Sequence, residues 1–151
     1  MKSQQYEQLL GQARSLVSGE SDLIANMANL SALLFNYLDD VNWAGFYLYK
    51  DSQLVLGPFQ GQPACIRIPM GAGVCGTAAQ TGEVQRIADV HAFEGHIACD
   101  AASNSEIVVP LMVNNKLLGV LDIDSPSHGR FDEEDEKGLV AIANVLTESQ
   151  Q

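Results

Sequence analysis

The chain has 151 residues, 46% hydrophobic and 18% charged, which is typical of one globular domain with a sizeable core rather than of a disordered chain. Its formal net charge is −11, from 19 acidic and 8 basic residues. A surface of that sign repels phosphate backbones and anionic lipids, so we expect neither nucleic-acid binding nor membrane binding.

The sequence shows neither a membrane-spanning segment nor a secretory signal. No apolar run approaches the roughly 20 residues that span a bilayer, and residues 1–7 lack the apolar core of a signal peptide. We therefore expect a cytoplasmic protein. In that reducing compartment the three cysteines, Cys65, Cys75 and Cys99, start as thiols. Their spacings match no zinc motif, so we expect no metal.

The N-terminal part of the chain predicts two helices. Apolar residues recur at helical spacing between residues 6 and 18, and again from Leu23 to Tyr37. Ser21 can cap the second helix, which we expect to run to about Leu38. Both helices are interpreted as cover for the core, without chemistry of their own.

Residues 42–50 predict a strand that is rich in aromatic side chains. Alternation places two sets of residues on opposite faces: Trp43, Gly45 and Tyr47 on one, Ala44, Phe46 and Leu48 on the other. The more aliphatic face suits packing under the helices. On the other face, the glycine leaves a gap between two rings, which is either an aromatic cluster across strands or the wall of a pocket.

A second strand is predicted at residues 53–59, followed by a loop that leads Cys65 into a short strand at residues 65–68. A glycine-rich turn then opens a helix whose first turn holds Cys75, where the helix dipole can lower the pKa of a thiol. The glycines lack the lysine of a P-loop and do not fit the dinucleotide-binding fingerprint.

Residues 95–106 are small and polar, although they lie between two apolar segments. The stretch holds Cys99 and ends on the carboxylate of Glu106. Such residues cannot build a core, so they serve as a surface connector or as part of a site. Cys99 is accordingly either an inert thiol or the centre of a redox site.

Residues 106–113 and 116–124 predict a hairpin that turns at Asn114 and Asn115. Asp122 and Asp124 share one face of an otherwise buried strand, where two like charges raise at least one pKa unless a cationic or hydrogen-bonding group lies between them. This pair either grips a ligand ammonium or hydroxyl group or lies beyond the sheet edge in water. Pro110 favours an edge or a bulge.

The acidic run after Phe131 predicts the start of a closing helix, because carboxylates favour a helix N-terminus. The order of elements is two helices, a hairpin, a helical crossover, a second hairpin and this last helix. It predicts an α+β fold over residues 1–151, a single domain in which a central antiparallel sheet carries helices mostly on one face.

Several motifs closely resemble the free methionine-(R)-sulfoxide reductases, which are small stand-alone GAF-domain enzymes. The motifs are Gly57-Pro58-Phe59-Gln60-Gly61, Pro63-Ala64-Cys65, Gly73-Val74-Cys75-Gly76, Asp89-Val90-His91, Gly95-His96-Ile97-Ala98-Cys99-Asp100, Ser103-Asn104-Ser105-Glu106 and Gly119-Val120-Leu121-Asp122-Ile123-Asp124-Ser125. The likeness runs from about residue 42 to residue 131 and includes every cysteine.

The resemblance implies a role for each of eight residues. The catalytic cysteine of the family corresponds to Cys99, its resolving cysteine to Cys65 and an auxiliary cysteine to Cys75. The proton donor of the family corresponds to Glu106 and its substrate-binding carboxylates to Asp122 and Asp124. The pocket for the methyl group corresponds to Trp43 and Tyr47. The implied substrate is free methionine-(R)-sulfoxide.

The implied mechanism needs no bound cofactor. Cys99 attacks the sulfoxide and becomes a sulfenic acid, Cys65 converts it to a disulfide, and thioredoxin, supplied by thioredoxin reductase and NADPH, reduces that disulfide. The resemblance also implies a homodimer and a place in the response to oxidative stress. Two alternatives stay open: a GAF sensor that binds a small ligand without chemistry, and a thiol redox switch that reports by disulfide formation.

Overall fold

The computed structural model describes residues 1–95 and 102–151. Cys99 therefore lies outside the described residues. The elements in chain order are α1 (Lys2–Val17), α2 (Leu23–Tyr37), β1 (Trp43–Lys50), β2 (Gln53–Gly61), β3 (Arg67–Pro69), α3 (Gly73–Thr81), β4 (Gln85–Ile87), a 3₁₀ turn (Val90–Ala92), β5 (Ser105–Val113), β6 (Lys116–Ser125) and α4 (Glu133–Glu148).

The strands form one antiparallel sheet in the order β3-β2-β1-β6-β5-β4. Two hairpins, β1–β2 and β5–β6, meet where β1 pairs with β6 at the middle of the sheet. Asn114 and Asn115 have φ values of 51° and 66°, which confirms the tight turn predicted between β5 and β6. β4 pairs only with residues 106–108, so Pro110 lies where β5 is an edge, as its missing N–H requires.

The two faces of the sheet carry different layers. α1, α2 and α4 pack on one face, where Ala44, Phe46 and Leu48 of β1 join the larger apolar cluster. α3 lies on the opposite face, where Trp43 and Tyr47 join a smaller cluster. The α+β class is confirmed, with helices mostly on one face, and the strand alternation assigned both faces of β1 correctly. Among the described residues, no helix combines the length and apolarity that a membrane crossing requires.

Two local predictions were wrong. The N-cap of α2 is Asp22 rather than Ser21, because the Asp22 side chain accepts the N–H of Ala25 at 2.9 Å. β3 begins at Arg67 instead of at Cys65, so Cys65 lies in the loop between β2 and β3. In this loop the carbonyl oxygen of Cys65 accepts a hydrogen bond from a side chain, the hydroxyl of Tyr47.

Candidate active site

Three carboxyl groups are brought together by the register of the central strands. Asp124 on β6 lies between Trp43 on β1 and Glu106 on β5, and Asp122 lies opposite Gly45 on β1. Glu106, Asp122 and Asp124 are only 9%, 5% and 8% exposed. The alternative that the aspartates lie beyond the sheet edge in water is therefore excluded.

The thiol of Cys75 faces these carboxyl groups from α3. Its Sγ donates to Oε2 of Glu106 over 3.7 Å. Cys75 occupies the first turn of α3, as predicted, but the predicted effect of the helix dipole on its pKa was wrong. The pKa of the Cys75 thiol is raised well above its usual range. Burial is the largest cause, and the charges of Asp122 and Glu106 act in the same direction.

The carboxyl groups of this cluster have raised pKa values. The pKa of Glu106 is raised well above its usual range, mainly by burial and next by the charge of Asp122. Burial and the charge of Asp124 raise the pKa of Asp122 in the same direction, which agrees with the elevation expected for two carboxylates on one face. Burial therefore favours the protonated form of these carboxyl groups.

Within residues 1–95 and 102–151, Oδ1 of Asp122 is buried and makes no hydrogen bond. A buried acceptor in that state costs stability unless a ligand satisfies it. One donor atom from each of Cys75, Glu106 and Asp122 lies within 4.8 Å of the others, a set that could hold a divalent cation. Such an ion would first have to displace the protons that burial keeps on these groups.

An aromatic wall borders the carboxyl cluster. The rings of Trp43 and Tyr47 stack with centroids 5.9 Å apart, and the rings of Trp43 and Phe59 stack at 5.1 Å. The gap predicted at Gly45 is absent, because Phe59 on β2 pairs with Gly45 and fills the space above it. Sequence reasoning missed Phe59, which only the pairing register of the β1–β2 hairpin could have indicated.

The polar edges of the same wall contact the loop that carries Cys65. The indole Nε1 of Trp43 donates to the carbonyl oxygen of Gln62 at 3.0 Å, and the hydroxyl of Tyr47 donates to the carbonyl oxygen of Cys65 at 3.1 Å. Cys65 is disulfide-bonded, whereas Cys75 is a free thiol. The structure thus joins seven of the eight predicted site residues, and Cys99 is outside the described residues.

Comparison with known proteins identifies the family to which this fold belongs. The family model of the GAF domain matches residues 25–148. The class defined by the fold and the site is therefore the GAF domain.

Closer relatives narrow the assignment. The chain is 61% identical over 145 residues to free methionine-R-sulfoxide reductase of Escherichia coli, covering 96% of this chain and 88% of that protein. It is 44% identical over 156 residues to free methionine-R-sulfoxide reductase of Saccharomyces cerevisiae, covering 98% and 87%. The solved structure of free methionine-R-sulfoxide reductase from Neisseria meningitidis in complex with its substrate superposes with a TM-score of 0.95 at 43% identity, covering 99% of this chain and 90% of that one. The chain belongs to the free methionine-R-sulfoxide reductase family of GAF domains.

Proposed function

We propose that this protein reduces free L-methionine-(R)-sulfoxide to methionine by thiol chemistry. The observation that carries the proposal is Glu106, a buried carboxyl group whose pKa is raised and which therefore keeps a proton to donate. Two relatives that bear the name of this reductase, at 61% and 44% identity, support the same activity.

The substrate is held, in this proposal, by opposite ends of the site. Asp122 and Asp124 bind the polar part of the amino acid. Oδ1 of Asp122, which makes no hydrogen bond within the described residues, supplies an acceptor for its ammonium group. Trp43 and Tyr47 present an apolar wall to the methyl group on sulfur. The sulfoxide oxygen of the substrate then lies toward Glu106, which acts as the acid.

The first step transfers oxygen from substrate to enzyme. The Cys99 thiolate attacks the sulfoxide sulfur and Glu106 protonates the sulfoxide oxygen, which weakens the sulfur–oxygen bond. The oxygen then passes from the substrate sulfur to the sulfur of Cys99 as the bond formed between the two sulfurs breaks, so Cys99 becomes a sulfenic acid and methionine keeps the electron pair of that broken bond. Cys99 is oxidised and the substrate is reduced by the same two electrons.

The second step forms a disulfide. The Cys65 thiolate attacks the sulfenic sulfur of Cys99, a sulfur–sulfur bond forms, and the oxygen leaves as water. The disulfide-bonded state of Cys65 supports its assignment as the resolving cysteine, and the free thiol of Cys75 supports an auxiliary role. Thioredoxin then reduces the Cys65–Cys99 bond by thiol–disulfide exchange.

We further propose that the protein is a cytoplasmic homodimer. The surface of α2 supports association, because Leu23–Tyr37 contains no charged residue although the chain as a whole is strongly acidic. Ile24 on this helix is 52% exposed. Sedimentation at several protein concentrations distinguishes a dimer from a monomer directly.

The decisive experiment combines the protein with thioredoxin, thioredoxin reductase and NADPH, and adds each epimer of methionine sulfoxide in turn. We expect NADPH oxidation with the R epimer alone, none in Cys99→Ser, and about one methionine per site followed by a stall in Cys65→Ser. A GAF sensor would oxidise no NADPH with either epimer. A thiol redox switch would form its disulfide with peroxide but would not respond to the sulfoxide. Sustained turnover by Cys65→Ser would remove Cys65 from the mechanism.

A further inference from the structure

Trp43 and Tyr47 each use two chemically different parts of the side chain. Their ring faces stack on one another beside the carboxyl cluster. Their polar edges point instead to the loop between β2 and β3, where they donate to the carbonyl oxygens of Gln62 and Cys65. Both side chains are only 2% exposed, so each polar edge needs its protein partner.

The loop that carries Cys65 is fixed to the sheet at its two ends. Gly61 pairs with Trp43 at one end, and the N–H of Leu56 donates to the carbonyl oxygen of Ile66 at 2.8 Å at the other. Between these anchors, the bond from Tyr47 holds the peptide group of Cys65 itself. The hydroxyl group of Tyr47 therefore helps to fix the backbone from which the Cys65 side chain projects.

We infer that the hydroxyl of Tyr47 is a positioning group for Cys65 during disulfide formation, a role separate from that of the Tyr47 ring in the substrate pocket. This inference rests on the proposed reductase function. The step in question is attack by the Cys65 thiolate on the sulfenic sulfur, in which a sulfur–sulfur bond forms, the sulfur–oxygen bond breaks and water leaves. Intramolecular attack is fast only when the reacting atoms are held in near-attack geometry. Loss of one neutral hydrogen bond that supplies such order slows the step roughly five- to tenfold.

Tyr47→Phe tests the inference because it keeps the ring and removes the hydroxyl. Tyr49→Phe is the matched control, since Tyr49 lies two residues further along the same strand and is 38% exposed. One equivalent of the R epimer is mixed with reduced protein, and samples are quenched in acid at successive times. Methionine is measured as the product of the first step, and the disulfide, together with sulfenic acid trapped by dimedone, as the outcome of the second.

We expect Tyr47→Phe to lower the rate of disulfide formation roughly five- to tenfold relative to its own rate of methionine formation, and to accumulate trapped sulfenic acid. Tyr49→Phe should match the wild type in both steps. In a Cys65→Ser background, Tyr47→Phe should leave the lifetime of the sulfenic acid unchanged, because the group that it positions is gone.

Equal slowing of both steps, or no slowing of disulfide formation, would overturn the inference. Trp43→Phe provides a second test if Tyr47→Phe folds poorly, because it removes the donor to Gln62 and should lower the rate of disulfide formation relative to that of methionine formation. Circular dichroism confirms folding of each variant. A wild-type protein that forms no methionine would refute the proposed function instead, so the two failures are distinguishable.

Discussion

The thiol of Cys75 donates to Oε2 of Glu106 over 3.7 Å, which joins α3 to β5 inside the site. The pKa values of both groups are raised, with burial as the first cause in each. A proton donor benefits from such surroundings, whereas a nucleophilic cysteine needs the opposite, because only the thiolate attacks. The contact therefore favours Glu106 as an acid and does not favour Cys75 as the attacking thiol.

Replacing Glu106 by Gln keeps the size of the side chain and its capacity for hydrogen bonding, but removes the transferable proton. We expect kcat for methionine formation to fall about 10²–10⁴-fold, as for loss of a general acid, with KM changed little. The wild-type rate should decline as pH rises through the elevated pKa of Glu106, and that decline should be absent in Glu106→Gln. Chromatographic assay of methionine across pH checks both points, and a variant within tenfold of wild type would contradict the role.

Cys75→Ala tests the auxiliary role of the third cysteine. We expect sustained turnover with thioredoxin, reduced by about fivefold because one hydrogen bond to Glu106 is lost. The Cys65–Cys99 disulfide should still form, and peptide mapping after oxidation measures it. If turnover were abolished and the Cys65–Cys99 disulfide were missing from the peptide map, Cys75 would instead take part in the thiol–disulfide steps.

Asp122→Asn tests whether the buried carboxyl cluster costs stability. The folded protein binds the proton of Asp122 more tightly than the unfolded chain does, since the pKa is raised in the fold. The contribution of Asp122 to stability is therefore greatest below the unfolded pKa of about 3.9 and is lost as pH rises to the folded pKa. Above the folded pKa, the total loss is about 1.4 kcal/mol for each unit by which folding raises the pKa. We expect Asp122→Asn to raise Tm at mildly alkaline pH, with a gain that shrinks toward acidic pH.

Asp132→Asn is the control of opposite sign. A hydrogen bond from Lys2, first, and one from the backbone N–H of Asp135 lower the pKa of Asp132 to about 2. Its contribution to stability is present above the unfolded pKa and is lost as pH falls toward 2, so its removal should lower Tm at mildly alkaline pH. The effect should be small because the side chain is exposed. A pH-independent Tm difference for Asp122→Asn would contradict the interpretation.

Alternation along single strands predicted much of the site. Period-two patterning separated Trp43 and Tyr47 from Phe46, and it placed Asp122 and Asp124 on one face, because side chains of a strand alternate without regard to its neighbours. The elevated pKa expected from the aspartate pair followed from the same pattern. The assignment of roles to individual cysteines came from family resemblance.

Relationships between strands could not be predicted in the same way. Simple counting back from the turn at residues 51 and 52 pairs Gly45 with Pro58, but an irregularity in the β1–β2 pairing shifts its partner to Phe59. That one-residue shift fills the expected gap. The raised pKa of Cys75 likewise depends on burial and on carboxyl groups that come from β5 and β6. The sequence of α3 alone carries no information about these neighbours.

Gly45→Ala tests the contact that fills the gap. A Cβ at this position would overlap the Cβ of Phe59 and lie 2.7 Å from its Cα and 2.9 Å from the carbonyl oxygen of Pro58. Backbone atoms cannot yield as a flexible side chain can, so we expect a loss of about 1–3 kcal/mol in the free energy of unfolding. Chemical denaturation measures it. Gly11→Ala is the control, since nothing lies within 4 Å of its Cβ position in the middle of α1, and it should be neutral or stabilising.

Asp135→Asn tests an ion-pair network far from the proposed chemistry. The Asp135 carboxylate is 1% exposed and accepts from the hydroxyl of Tyr6 at 2.7 Å, from Nζ of Lys2 at 2.9 Å and from the guanidinium of Arg130 at 3.2 Å. It thereby links the start of α1 to the start of α4.

Asparagine at position 135 keeps the shape but leaves both cations without their buried counter-charge. We expect a loss of about 3 kcal/mol in the free energy of unfolding, equivalent to roughly 6–12 °C in Tm for a domain of this size. Turnover per folded molecule should be unchanged, because α1 and α4 pack on the face of the sheet opposite to the carboxyl cluster. Thermal denaturation followed by circular dichroism, with the reductase assay performed well below Tm, measures the two effects separately. A fall in turnover without a fall in Tm would contradict the assignment of a purely structural role.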